Sequence, residues 1–163
     1  MNERVYQILY CSRNTMQGTD AEVRVEIEKI LRASRVNNAR AAVTGALFYN
    51  KVFFAQVLEG TFGQVQRVFE RLQLDPRHSD LVVLQSGFVS RRDFGDWSMA
   101  FAGTNAEVDF PLSATGQSRA AASACGLQVL SFLREVVIKQ EAWALPQRVS
   151  SVRSKLQEVA VLS

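Results

Sequence analysis

Apolar positions follow two rhythms along this chain, and the changes of rhythm mark its elements. Val5 to Cys11 (VYQILYC) is a β-branched and aromatic run that stops at the turn-prone SRNTMQG, which predicts a first strand. Thr19 and Glu22 have capping-box spacing, and behind them Val23, Ile27, Ile30, Leu31 and Ser34 recur at helical period, predicting a helix from about Asp20 to about Val36. Asn37 and Asn38 are expected to end it. Val43–Tyr49 and Val52–Glu59 predict two strands joined by a tight turn at Asn50 and Lys51. Val65, Val68, Phe69 and Leu72 then form the inner face of a second helix, stopped by Asp75 and Pro76. Leu81–Val89 predicts a fourth strand and Trp97–Ala102 a fifth.

The resulting order, β-α-β-β-α-β with an added strand, is the ferredoxin-like pattern of the α+β class, with the first and third strands as central neighbours. In the third strand Phe54, Gln56 and Leu58 share one face, while Phe53, Ala55 and Val57 share the other. Both faces are apolar, so both need a cover. The two helices of the unit cover one face, and the other is left for C-terminal helices or a partner. From Asn105 to Ser118 the composition turns to Gly, Ser, Thr and Pro, a linker. Leu127, Leu130, Leu133 and Val137 lie on one apolar helix face beyond it. After Pro146, Val152, Leu156 and Val159 mark a shorter helix. The expected organisation is a domain over 1–104, a linker over 105–118 and a helical extension over 119–163.

At 163 residues, 47% hydrophobic and 21% charged, the composition is that of a globular domain with a real core. The net charge of +3 is scattered, with no basic block to suggest a nucleic-acid arm. Two cysteines, Cys11 and Cys125, without CxxC spacing or a histidine cluster, argue against zinc and against a disulfide framework. The N-terminal apolar run is too short and polar for a signal peptide or a membrane span, so a cytoplasmic setting is expected, with no membrane and no metal.

The residue that does not fit its surroundings is Gln56. An amide inside VFFAQVLEG must find hydrogen-bond partners or cost free energy. With strands 1 and 3 adjacent, Tyr10 and Gln56 point toward the same helices, and a phenol and an amide can satisfy each other. Taken alone, the pattern favours a satisfied structural pair.

The segments ILYCS, SRVNNARAAVTGALFY, FFAQVLEG, DPRHSD and FGDWSMA, in order across residues 6 to 102, resemble the BLUF family, flavin-based blue-light sensor modules. By that resemblance Tyr10 is the photoactive tyrosine, Gln56 the switching glutamine, and Trp97 and Met99 the strand 5 pair that exchanges near the flavin. Asn37 and Asn38 would hold the ring edge. Ile30, Ser34 and Phe54 would line the pocket, and Arg71, Asp75, Arg77 and His78 would face the flavin's other edge and side chain. Each position has a plainer reading of its own. Trp97 and Met99 read as core, Asn37 and Asn38 as a helix stop, His78 as a loop histidine.

The resemblance implies bound FAD, with FMN as the other flavin. It implies light-driven transfer of an electron and a proton from Tyr10, with Gln56 rearranging by rotation or tautomerisation. The signal would pass through strand 5 and the C-terminal helices to a separate partner protein or a homo-oligomer, with no enzyme activity of its own. The competing readings are a ferredoxin-like binding module for RNA or protein, a flavin redox enzyme, and an acylphosphatase-like hydrolase. The third strand lacks the basic and aromatic exposed face an RNA-binding sheet needs. No GxGxxG fingerprint is present for the redox enzyme. The loop SRNTMQG offers no defensible phosphate cradle for the hydrolase. Cys11 lacks the surroundings of a cysteine-adduct photosensor and reads as packing.

Overall fold

The computed structural model describes residues 4–103 and 124–137. Its elements are β1 (Val5–Asn14), α1 (Asp20–Arg40), β2 (Thr44–Tyr49), β3 (Phe53–Gly60), α2 (Phe62–Gln73), β4 (His78–Val89) and β5 (Ala100–Gly103), followed by helical residues 124–137. The sheet order is β4-β1-β3-β2-β5, with every pairing antiparallel except β2 with β5. This is the expected ferredoxin-like arrangement, with β1 and β3 central.

The pleat sorts the central strands into two cores. Ile8, Tyr10, Phe54 and Leu58 face α1 and α2, where Ile27, Leu31, Val65, Val68 and Phe69 cover them. Leu9, Cys11, Phe53, Ala55 and Val57 face the other way, under Cys125, Val129, Leu130, Leu133 and Val137 of the helical segment. The Val, Leu, Ile and Phe side chains among them each contribute about 1.5–3 kcal/mol when fully withdrawn from water. Leu127, expected on the inner face of that segment, is instead exposed. The linker over 105–118 and the helix carrying Val152, Leu156 and Val159 lie outside the described residues.

Local chemistry fixes the elements in register. Thr19 caps α1, its hydroxyl accepting from the Glu22 backbone while the Glu22 carboxylate accepts from the Thr19 backbone at 2.8 Å. The β2–β3 turn is closed by Asn50, whose side-chain oxygen accepts from the backbone of Val52 and Phe53 at 2.9 and 2.8 Å. Gly45 on β2 lies so close to β3 that a Cβ there would sit 2.1 Å from the Val57 carbonyl oxygen.

Two expectations are corrected. The pair Asn37 and Asn38 does not end α1, which runs on to Arg40 with Ala41 as its C-cap. Asn38 is 2% exposed and donates to the Ser98 carbonyl at 2.9 Å, a tertiary bond that outweighs its weak helix propensity. Strand 5 begins at Ala100, not Trp97, because a turn at Gly95–Asp96 and a bend through Met99 intervene.

Candidate functional site

Tyr10 and Gln56 are direct register partners in the β1–β3 pair, both nearly inaccessible to solvent. The Tyr10 hydroxyl donates to Oε1 of Gln56, and Nε2 of Gln56 donates to Sδ of Met99 at 3.7 Å. A phenol, an amide and a thioether thus form one hydrogen-bonded chain inside the helix-covered core. Burial pushes the Tyr10 phenol far above its ordinary pKa, and the Asp75 carboxylate and the Cys11 thiol raise it further. The phenol therefore holds its proton tightly, and its acceptor is an amide that can present either end.

Aromatic and apolar groups wall the chain. Tyr10 meets Phe69 edge-on at 5.5 Å between ring centroids, and the His78 ring lies 6.3 Å from Tyr10 and 6.2 Å from Phe54. His78 is fixed at both nitrogens, Nδ1 at 2.8 Å from Ser12 Oγ and Nε2 at 2.6 Å from the Leu72 carbonyl. On α1, Ile30 and Ser34 are half-buried, and Ile30 packs against the same core. Asp75 and Arg77 pair in the turn after α2, with Arg77 Nε 2.9 Å from Oδ1 and Nη2 2.5 Å from Oδ2. The Arg77 guanidinium holds the Asp75 carboxyl below its usual range.

The structure thus brings Tyr10, Phe54, Gln56, His78 and Met99 together, with Asn38 attached through Ser98 and Ile30 alongside. Asn37 and Arg71 are exposed at the rim, where Arg71 Nε reaches only the Arg67 carbonyl at 3.4 Å. Trp97 does not join them. Although two residues from Met99, it packs against the opposite core, its ring 6.5 Å from that of Phe94. In a strand, positions two apart share a face, so the bend before β5 is what separates the pair.

Sequence reasoning missed Arg35, whose Nε donates to the Met99 carbonyl at 3.1 Å, and Ser12, which holds His78. Arg35 is an exposed helical residue with no sequence signal. Ser12, a small polar residue in an apolar strand, carried the same kind of signal as Gln56.

The donor set suits a flat heteroaromatic ring with a polar edge and an anionic side chain. The amides of Gln56 and Asn38 would supply such an edge and the apolar rings its walls, while the Arg77 guanidinium beside them is paired with Asp75 and Glu26.

A family model described as "BLUF: Sensors of blue-light using FAD" matches residues 5–100. The beta subunit of a photoactivated adenylate cyclase from Euglena gracilis is 36% identical over 73 residues, 45% of this chain and 8% of that protein. The blue light- and temperature-regulated antirepressor BluF of Escherichia coli is 34% identical over 80 residues, 49% of this chain and 20% of that protein. The chain thus spans only a small part of the curated relatives it matches. Among solved structures, the dark state of the BLUF protein BlrB superposes with a TM-score of 0.60 at 28% identity, covering 75% of this chain and 93% of that one. The ground state of BlsA gives 0.65 at 25% identity, covering 82% and 88%. With the matched family model spanning most of the described sheet and both of its helices, the chain belongs to the BLUF family of flavin-dependent blue-light sensors.

Proposed function

We propose that the chain is a blue-light receptor in which Tyr10 and Gln56 form the switch. The observation that carries this reading is the buried chain from the Tyr10 hydroxyl through the Gln56 amide to the Met99 sulfur. FAD is the flavin favoured by the family description, with FMN the other candidate. Gln56, Asn38 and, from the rim, Asn37 would hold its ring edge. Ile30, Ser34 and Phe54 would line its ring, and Arg71, Asp75, Arg77 and His78 its other edge and side chain. When bound, the flavin supplies the absorption of blue light and an excited state that takes an electron from a neighbouring donor.

The protein's own part is proton handling. An oxidised phenol is a strong acid, so Tyr10 then yields the proton it otherwise holds along its bond to Gln56 Oε1, and return of the electron and a proton to Tyr10 restores the neutral phenol with Gln56 left rearranged. Gln56 responds by exchanging its donor and acceptor ends, by rotation or through the imidic-acid tautomer. In a low-dielectric core such bonds are few and strong, so the site has two discrete arrangements. By either route the rearrangement changes what the amide offers Met99. From Met99 the change passes to β5 and the helical segment on the far face, with Trp97 following on that side. Output is delivered by contact to a separate protein or within a homo-oligomer in the cytoplasm, without catalysis by this chain.

The test is an absorption spectrum of the purified protein in the dark and under blue light. A structured flavin spectrum that moves slightly to the red and recovers in the dark supports the reading, and chromatography of the released flavin identifies FAD or FMN. A colourless protein that FAD does not reconstitute overturns it in favour of a binding module.

A further inference from the structure

Glu59 is a carboxylate with no solvent exposure, three residues beyond Gln56 on the opposite face of β3. Four donors converge on it. Gln7 Nε2 reaches Oε1 at 2.9 Å, the Asp93 backbone N–H reaches Oε1 at 2.8 Å, the Phe94 N–H reaches Oε2 at 2.9 Å, and the Thr44 hydroxyl reaches Oε2 at 3.3 Å. Two of the four belong to the connection between β4 and β5, so this one side chain fixes where that connection sits. Arg92 fixes it from outside, donating to the carbonyls of Glu59 and Ala42 and to the Thr44 hydroxyl.

The same connection is tied at its other end to the switch. Asn38 holds the Ser98 carbonyl, Arg35 the Met99 carbonyl, and Gln56 the Met99 sulfur. It is also tied to the helical segment, because Asp93 Oδ2 accepts from Arg134 Nη2 at 2.6 Å and from Gln7 Nε2 at 3.1 Å. Residues 92–99 are thus anchored by polar bonds at the switch, at Glu59 and at the far-face helix. A displacement begun at Met99 cannot dissipate in a slack loop. It must strain or shift the anchors at Glu59 and Arg134.

Gly126 lets the far-face helix lie close over Leu84 and Gln85, and among the described residues Gln85 Oε1 is buried without a hydrogen-bond partner. An orphaned acceptor favours any state that returns it to water.

We propose that Glu59 is a positioning residue for signal transfer, holding Asp93 and Phe94 so that a change at Met99 is delivered to Arg134 and the helical segment. The proposal rests on the photoreceptor reading and names its route to the far face. Glu59 touches neither Tyr10 nor Gln56, so the photochemical and transfer steps separate experimentally.

The experiment compares hydrogen exchange at residues 124–137 in the dark and under blue light, on the full flavin-loaded chain, for wild type and for Glu59→Gln, Asp93→Asn and Arg134→Gln. Glutamine at 59 turns an acceptor-only carboxylate into a group with a donor end facing donors. In each variant the flavin red shift is expected to persist while the light–dark difference in exchange at 124–137 is lost. A full light–dark difference in Glu59→Gln overturns the proposal, as does a wild-type chain that shifts spectrally without any change at 124–137. If Glu59→Gln does not fold, the partly exposed pair Asp93 and Arg134 decides the matter, retention of the difference in both variants overturning the route and its loss supporting it. Absence of a spectral shift in wild type is a failure of the photoreceptor reading instead.

Discussion

Tyr10 and Gln56 stand directly opposite each other in the β1–β3 register, and the phenol hydroxyl donates to the amide oxygen. Because the partners sit on adjacent central strands, their approach is set by the sheet itself, not by a loop. Replacing either should break the switch without removing the ring's apolar walls. Tyr10→Phe and Gln56→Leu are each expected to bind flavin and to show no red shift in light-minus-dark absorption. Gln56→Leu should also lower stability by about 1–3 kcal/mol, since the buried Tyr10 hydroxyl loses its acceptor. A normal light-induced shift in either variant would remove the assignment.

Much of this was legible in the chain itself. Strands β1 and β3 announced themselves through apolar runs buried on both sides, and Gln56 stood out because an amide in such a run requires a partner. The end of α1 was misread because an Asn pair is a poor continuation by local propensity, whereas Asn38 is retained by a bond to Ser98, sixty residues away in sequence. By spacing Trp97 and Met99 are alternate residues of a strand, but the bend at Ser98–Met99 puts them on opposite faces of the sheet. Glu59 carried the same kind of signal as Gln56, a polar residue within VFFAQVLEG. What periodicity could not supply was its partners, two of which are backbone groups of the β4–β5 connection.

The separation of Met99 from Trp97 predicts unequal effects. Met99→Leu keeps the volume but removes the acceptor of Gln56 Nε2. Because the rearranged amide no longer makes that bond, its loss takes away part of the pull toward the arrangement seen here, and dark recovery should slow by up to about fivefold if the bond contributes about 1 kcal/mol. Trp97→Phe alters only the far-face core and should leave the recovery rate within about a factor of two. Recovery followed by flavin absorbance after a blue flash distinguishes them, and equal effects would contradict the separation.

Alkaline stability follows from the Tyr10 environment. Its pKa in the folded chain is raised above the unfolded value, chiefly by burial. The stabilisation is then complete below the unfolded value of about 10 and is lost as pH rises beyond it, at about 1.4 kcal/mol per pH unit. Cys11, pushed up to about 12 by burial, acts with the same sign, losing its contribution from about 9 upward. Wild type should therefore lose stability steeply above pH 10 in denaturant titrations, and Tyr10→Phe less steeply. The red shift should keep its amplitude up to that pH because the phenol remains protonated. Phenolate absorbance from Tyr10 appearing before unfolding would refute the account.

Asn37 and Asn38 are adjacent on α1 but differ in surroundings, and a helix turns by enough per residue to send them apart. Asn38 is buried against Ser98, while Asn37 is exposed. Asn38→Ala leaves the Ser98 carbonyl without that donor, so it should cost about 1 kcal/mol in the thermal melt. A similar loss at the flavin would weaken its affinity about fivefold. Asn37→Ala, at an exposed position, should change stability by less than about 0.5 kcal/mol. Any effect it has on affinity would report the rim contact alone, and it should fall short of that at 38. Flavin titration followed by fluorescence quenching, with melts of both apo proteins, measures the two quantities separately. If Asn37→Ala weakens flavin binding as much as Asn38→Ala does, the ring edge is held from the rim and the buried bond to Ser98 is structural only.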